Sequence, residues 1–392
     1  MNEDAPVKKL MGELLQQMAD AIDAGVLEKR VKVGLTTLGC EVGIDQWIHA
    51  AENLSQKSRE IEVVLIGPRQ HTGLLQFEAD TEEEMHGKME MMLDHGMIDV
   101  CITTHYAYPI GVASVGKMMA PGKGKEMLLA TTSGTAAIER TPAMILNALY
   151  GIIVAKTLGY DNPSVGILNV EGARQVEKAL VQLQKNGYPI RFAQSLRPES
   201  GCMMRGNDVI AGTADVFVQD SLTGNITMKM CASVLTGGEF ESIGSGYGPG
   251  IGERYQRLIM VISRASGYTV VQNAIRYAYQ MVKGDLRSIA NKEFQAAGKA
   301  GLHTILRSDA ASGELPNDVA APLGEPVTKG IAGIDILELE KAVQEVWREG
   351  IYAESGMGCT GPILLVSEKN ADRTLQLLET KGYLVQMDKE CL

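Results

Sequence analysis

The chain has 392 residues, enough for two or three lobes or for one large α/β unit. Hydrophobic residues make up 45% and charged residues 22%, a globular balance that excludes disordered, collagen-like and coiled-coil chains. A net charge of −11 leaves no basic footprint for a phosphate backbone, which excludes nucleic acid as a partner.

Residues 1–30 are acidic and amphipathic, with Leu10, Leu14, Met18 and Ile22 at helical spacing. They predict an N-terminal helix and lack the basic start and apolar core of a signal peptide. No apolar run reaches the roughly 18–20 residues of a bilayer span, and no C-x-x-C pair occurs. A cytoplasmic chain with reduced thiols and no membrane contact is therefore expected.

Residues 31–283 alternate short apolar runs with helix-period segments. The runs VKVGLTTL (31–38), EVVLIGP (62–68), IDVCITTH (98–105), EMLLATT (126–132), PSVGILNV (163–170), ADVFVQD (214–220) and LIMVISRASG (258–267) read as buried strands. This pattern predicts an α/β domain, a mostly parallel sheet with helices on both faces. The apolar stretch 141–158 carries Asn147 and Lys156, which mark it as a buried or interface helix. Residues 284–332 predict a helix followed by a flexible linker over 309–331, rich in Gly, Pro and Asp. Residues 333–392 read as a small C-terminal α/β unit.

Ligands in such sheets gather where strand carboxyl ends meet helix N-termini, so the turns carry the interest. The most unusual is Ser355-Gly-Met-Gly-Cys-Thr-Gly-Pro362, in which Gly358, Thr360 and Gly361 surround Cys359. Glycines there allow successive backbone N–H groups to face one spot, lowering a thiol pKa and stabilising an oxyanion. A tight turn around an inert, buried thiol reads equally well. The stretch Gly244–Gly252, with Glu253 and Arg254 behind it, could cradle phosphate, line an access loop or simply connect. Ser263 and Arg264 stand at a strand end before a helix, a good place for an oxyanion. Asp220–Asn225 reads first as a helix cap. The histidines show no paired metal spacing and read as surface or satisfied groups, so no metal is expected. The methionines, Cys202 and Cys231 read as packing.

These segments bring a family into view. Asn147–Gly172 resembles the phosphate acyltransferases that make acyl phosphates for phospholipid synthesis and, more loosely, phosphotransacetylases. The resemblance continues through 211–230 and 246–278, and it implies an isopropylmalate-dehydrogenase-like α/β architecture. Two departures stand out: Thr37-Leu-Gly-Cys-Glu-Val-Gly-Ile-Asp45 replaces that family's Asp-Ala-Met-Gly-Gly-Asp opening, and the C-terminal unit is extra. With both, the chain resembles the alpha subunits of protein C of the glycine/sarcosine/betaine reductase complex, a family of anaerobic amino-acid-fermenting bacteria.

That resemblance implies an acetyl-thioester on Cys359, formed from the carboxymethyl selenoether of protein A and released as acetyl phosphate. It also implies a condensing-enzyme-like beta subunit in an alpha/beta hetero-oligomer, with selenoprotein A and protein B as further partners. A thioester needs no metal or redox cofactor, whereas attacking phosphate must be neutralised and aimed. Phosphate is thus the co-substrate, with Arg264, Ser263, Asn225, Gly248 and Arg254 as its candidate ligands. Loops 219–225, 244–254 and 263–267 are expected to line one cleft. The alternatives are a CoA- or acyl-carrier-dependent phosphate acyltransferase without a covalent cysteine, and a non-catalytic scaffold for the beta subunit.

Overall fold

The computed structural model describes residues 30–310, 319–334, 338–358 and 361–384. The expected N-terminal helix, Cys359, Thr360 and the tail with Cys391 lie outside the described residues. Among the described residues, the first half runs β1 (Val31–Thr36), α1 (Ile44–Lys57), β2 (Ile61–Gly67), β3 (Leu75–Glu78), α2 (Glu82–Asp94), β4 (Val100–Thr103), β5 (Val112–Met119), β6 (Glu126–Thr135) and α3 (Arg140–Thr157). There follow β7 (Ser164–Leu168), α4 (Ala173–Lys185), β8 (Arg191–Phe192), β9 (Met203–Met204), α5 (Gly206–Ala211), β10 (Val216–Val218), α6 (Ser221–Ser233), β11 (Gly248–Ile251), β12 (Ile259–Val261) and α7 (Tyr268–Lys283). Then come α8 (Leu286–Lys299), α9 (Leu302–Ala310), β13 (Lys329–Ala332), α10 (Leu339–Arg348), β14 (Ala353–Gly358), β15 (Gly361–Val366) and α11 (Ala371–Thr380).

Twelve of these strands form one sheet in the order β3-β2-β1-β4-β12-β11-β5-β6-β10-β7-β8, with β9 on β7. β3, β2, β1, β4 and β12 are mutually parallel, and so are β6, β10, β7, β8 and β9. Between them, β11 pairs antiparallel with both β12 and β5, and β5 antiparallel with β6. Three antiparallel steps reverse the direction, so the two parallel halves point their carboxyl ends to opposite edges of one sheet.

The chemistry of the runs explains the layering. β1, β2 and β4 are almost wholly buried, as continuous apolar runs require when helices cover both faces. One core lies under α1, α3, α4, α7 and α8, and a second, rich in methionine, under α2 and α6 on the other face. The apolar helix α3 is buried along its length, with Lys156 paired to Glu293 at 2.7 Å. No helix among the described residues is long and apolar enough to cross a membrane.

Two stretches differ from their sequence reading. The glycine-rich segment enters the sheet as β11, because a Cβ at Gly248 would overlap the Val115 carbonyl oxygen. Residues 329–332, at the end of the expected linker, form β13. It joins β15 and β14 in an antiparallel sheet with its own core, including Leu339, Val343, Val346, Leu364 and Leu378. This sheet is tied to the main one where Met357 N donates to the Tyr108 carbonyl at 3.2 Å and Pro109 bridges Gly356.

Candidate functional site

The first edge gathers the carboxyl ends of β1, β4 and β12. Ser263 and Arg264 follow β12, and the Arg264 carbonyl accepts from Glu41 N at 2.9 Å, holding the β1 turn against it. The guanidinium reaches Glu82 at 3.3 Å. A Cβ on Gly39 would sit 3.0 Å from Thr104 Oγ1 and 3.5 Å from Arg264 Nε, so glycine lets the three turns close together. Cys40 is half-buried in this turn. Burial pushes its thiol up, opposed by the backbone N–H groups of Val42 and Gly43. His86 and His105 flank the same edge, both pushed by burial below the ordinary imidazole value and so held neutral.

Behind Arg264 lies Glu241, 4% exposed, which accepts from Tyr247 Oη at 2.8 Å and Ser266 Oγ at 3.4 Å. Burial raises its carboxyl above the ordinary glutamate range despite those donors. Trp47 Nε1 fixes the same turn by donating to the Ser266 carbonyl at 2.7 Å.

The second edge gathers the carboxyl ends of β6, β10 and β7. Asp220 caps α6, accepting from Thr223 N at 3.0 Å, as its sequence suggested. Ser221 Oγ donates to the Gly134 carbonyl at 2.6 Å and Asn225 Nδ2 to the Thr132 carbonyl at 3.0 Å. A Cβ at Gly224 would overlap the Thr131 carbonyl oxygen, so glycine lets α6 lie directly on β6. Beneath this turn, Asn147 Nδ2 donates to the Gln219 carbonyl at 2.8 Å. The Gln219 side-chain amide and Asn147 Oδ1 are buried without a hydrogen-bond partner. A cleft of about 470 Å³ opens between Glu139, Arg140, Glu171 and Gln175, where α3 and α4 begin.

The C-terminal hairpin belongs to this second edge. Gly111 N donates to the Thr135 carbonyl at 2.9 Å, two residues from the Pro109–Gly356 bridge. Gly358 pairs with Gly361, so Cys359 and Thr360 are the two residues that join β14 to β15 in sequence.

The expected single cleft is therefore divided within one chain. Ser263 and Arg264 stand on the first edge, and Gly248 is buried in the sheet just inside it. Asn225 stands on the second edge, and the exposed Arg254 follows the end of β11 there. Helix α6 spans the gap. It starts at the second edge and ends near the first, where the Ala232 carbonyl accepts from Ser242 N at 2.8 Å and Glu241 bridges Ser266.

Sequence reasoning singled out the turn that holds Cys40 without giving the thiol a role, read the histidines as surface or satisfied groups, and passed over Glu82 and Glu241. The strand-end rule could also have singled out His105, which follows β4. Glu82, His86 and Glu241 arrive from a helix and a loop, with no local signal. No group of three or more potential metal ligands occurs among the described residues.

Comparison with known proteins places this architecture. The model of the family described as "Fatty acid synthesis protein" matches residues 31–365, spanning both sheets. A phosphate acyltransferase of Thermotoga petrophila is 28% identical over 255 residues, 55% of this chain and 73% of its own length. A branched-chain phosphotransacylase from Enterococcus faecalis V583 superposes with a TM-score of 0.45 at 15% identity, over 64% of this chain and 99% of its own. The glycine/sarcosine/betaine reductase complex component C subunit alpha of Peptoclostridium acidaminophilum is 50% identical over 379 residues, 96% of this chain and 98% of its own length. The chain belongs to the fatty acid synthesis protein family and, within it, to the component C alpha subunits.

Proposed function

We propose that this chain carries an acetyl group as a thioester on Cys359 and releases it to phosphate as acetyl phosphate, acting in a glycine, sarcosine or betaine reductase complex. The observation that carries the reading is 50% identity with a component C alpha subunit over 96% of this chain and 98% of that subunit. Phosphate oxygen attacks the thioester carbon, the C–S bond breaks, and the thiolate returns to Cys359. Glycines on both sides of the cysteine supply backbone donors to the oxyanion. Arg264, with Ser263 beside it, is the phosphate anchor, because a charge-assisted hydrogen bond aims the attacking oxygen as well as neutralising it. Asn225 and Arg254 are further candidate phosphate ligands.

The acetyl group derives from the carboxymethyl selenoether of a protein A, after a protein B has activated the substrate. The C–Se bond is cleaved reductively as the selenium and a second thiol of protein A are oxidised together to a selenenyl sulfide. The methylene carbon gains a proton, and one carboxylate oxygen leaves as hydroxide when the Cys359 C–S bond forms. A condensing-enzyme-like beta subunit accompanies the chain in the cytoplasm of an anaerobic, amino-acid-fermenting cell.

Phosphate acyltransferase relatives support a second reading, direct transfer from an acyl carrier. The two separate on one assay, arsenate-dependent hydrolysis of acetyl phosphate by the purified chain. The thioester reading predicts turnover that needs no CoA and vanishes in Cys359→Ser. Full turnover in Cys359→Ser, with saturation by acyl-CoA, would establish direct transfer instead.

A further inference from the structure

A cavity of about 390 Å³ lies where the β5–β6 hairpin, the segment 242–245 and helix α7 meet. None of the described residues lining it belongs to the turns after β1, β4 and β12 that hold Arg264. Its size is that of a small-molecule site, and its walls are fixed. Ser242 N and Ile243 N donate to the Ala232 carbonyl at 2.8 and 3.2 Å, and Ser245 N donates to the Lys117 carbonyl at 2.9 Å. Asn273 Nδ2 donates to the Gly244 carbonyl at 3.1 Å, which ties the segment to α7. Gly244 has a φ of 94°, and a Cβ there would stand 3.2 Å from the Lys117 carbonyl oxygen. Glycine thus lets the segment lie flat on the end of β5.

The polar groups of this cavity are rich in uncommitted donors. Lys117 is 7% exposed, a rare position for an ammonium group. Its Nζ donates to Gln280 Oε1 at 3.2 Å and stands 5.1 Å from the centre of the Tyr277 ring. Its carboxylate partner Glu126 is 3.4 Å away with a side chain 51% exposed, so water screens the pair and compensates the buried charge only in part. Ser242 Oγ is buried without a hydrogen-bond partner, although buried hydroxyls are almost always paired. Arg276, exposed and lining the same cavity, donates to the uncharged Asn273 Oδ1 at 3.4 Å. Two cations and a free hydroxyl therefore face one movable carboxylate. That balance calls for a ligand carrying more than a single negative charge.

We propose that this cavity binds a small phosphate monoester. Lys117, Arg276 and Ser242 hold its phosphoryl group, and Met118, Met119 and Ile243 receive its carbon arm. A phosphoryl dianion has three terminal oxygens and takes a donor from each of the three side chains, two of them charge-assisted. Glu126 releases Lys117 as the phosphoryl group enters, its half-exposed side chain turning to water. The site stands apart from the acyl transfer proposed above and does not depend on it.

Calorimetric titration of the full-length Arg264→Ala chain with glycerol 3-phosphate at low salt tests the cavity without a contribution from the Arg264 edge. One saturable site per chain is expected. Adding Arg276→Gln should weaken binding about tenfold or more, and adding Ser242→Ala about threefold to tenfold, the losses of a charge-assisted and an ordinary donor. Glu126→Gln should instead tighten it about threefold, because the competitor for Lys117 loses its charge. Inorganic phosphate, which leaves the apolar wall unused, should bind more weakly than the ester. Arg276 and Glu126 are exposed and Ser242 half-buried, so the variants should keep the parent unfolding midpoint. No binding in Arg264→Ala, binding indifferent to Arg276→Gln and Ser242→Ala, or weakening by Glu126→Gln would each overturn the site. Inorganic phosphate binding as tightly as glycerol 3-phosphate would overturn the monoester as its ligand.

Discussion

The two carboxyl edges of the sheet are made from similar parts to opposite effect. At the Arg264 edge, turns after three strands converge through Gly39 on a guanidinium, two neutral histidines and a buried carboxyl: a cluster of charge with a half-buried thiol. At the α6 edge amides, hydroxyls and a capping carboxylate hold the turns, the charged Arg254, Glu139, Arg140 and Glu171 stand around them, and the β14–β15 hairpin meets the main sheet here. The first edge offers a fixed guanidinium, and the second is where the C-terminal hairpin meets the main sheet. The transfer proposed above calls on both, and the antiparallel steps around β11 and β5 put them on opposite edges.

Substitutions can break that contrast. The largest effect is expected from the two cysteines. Cys359→Ala should lower arsenolysis on the order of 10³-fold or more, as removal of a covalent nucleophile does, whereas Cys40→Ala should leave it within about threefold. The reverse order would move the nucleophile to the Arg264 edge. Arg264→Ala should raise the phosphate or arsenate concentration at half-maximal rate by about 10–100-fold, the loss of one charge-assisted hydrogen bond. Acetylation of Cys359 should continue in that variant, and an unchanged phosphate dependence would leave Arg264 as the partner of Glu82 alone.

Packing effects come next. Gly224→Ala should lower unfolding free energy by about 1–3 kcal/mol, because the added methyl meets the Thr131 carbonyl. Its denaturation midpoint should fall, while Gly206→Ala, where space is open, should shift it little. The smallest effect concerns Glu241. Its raised carboxyl pKa means that the folded state keeps a proton the unfolded state releases. Stability from that proton is present at low pH and lost as pH rises from the ordinary glutamate range through the folded value. Glu241→Gln should flatten this loss in urea titrations at successive pH values. A wild-type slope retained in Glu241→Gln would assign the titration to another group.

Much of the fold was readable in the sequence because burial on both faces writes itself as continuous apolar runs, which is how β1, β2, β4 and β10 announce a mostly parallel sheet. The Asp220 cap was readable for the same local reason. β11 was not, since glycines selected for close backbone approach look like a loop. Nor was the division of the site. Strand, turn and helix have one local signature whichever way the strand points, so Asn225 and Arg264 read as neighbours. Only the number of antiparallel steps between their strands separates them. Glu241 carries no signal until the sheet decides which side of each element faces out.

The most direct test of the central claim is covalent. The chain is incubated with isotope-labelled acetyl phosphate, quenched in acid, digested and analysed by mass spectrometry. The account predicts label on the peptide containing Cys359, released by hydroxylamine, absent from Cys359→Ala and retained in Cys40→Ala, Cys202→Ala and Cys231→Ala. Label on another cysteine, or no label in a chain that still turns over acetyl phosphate, would contradict it.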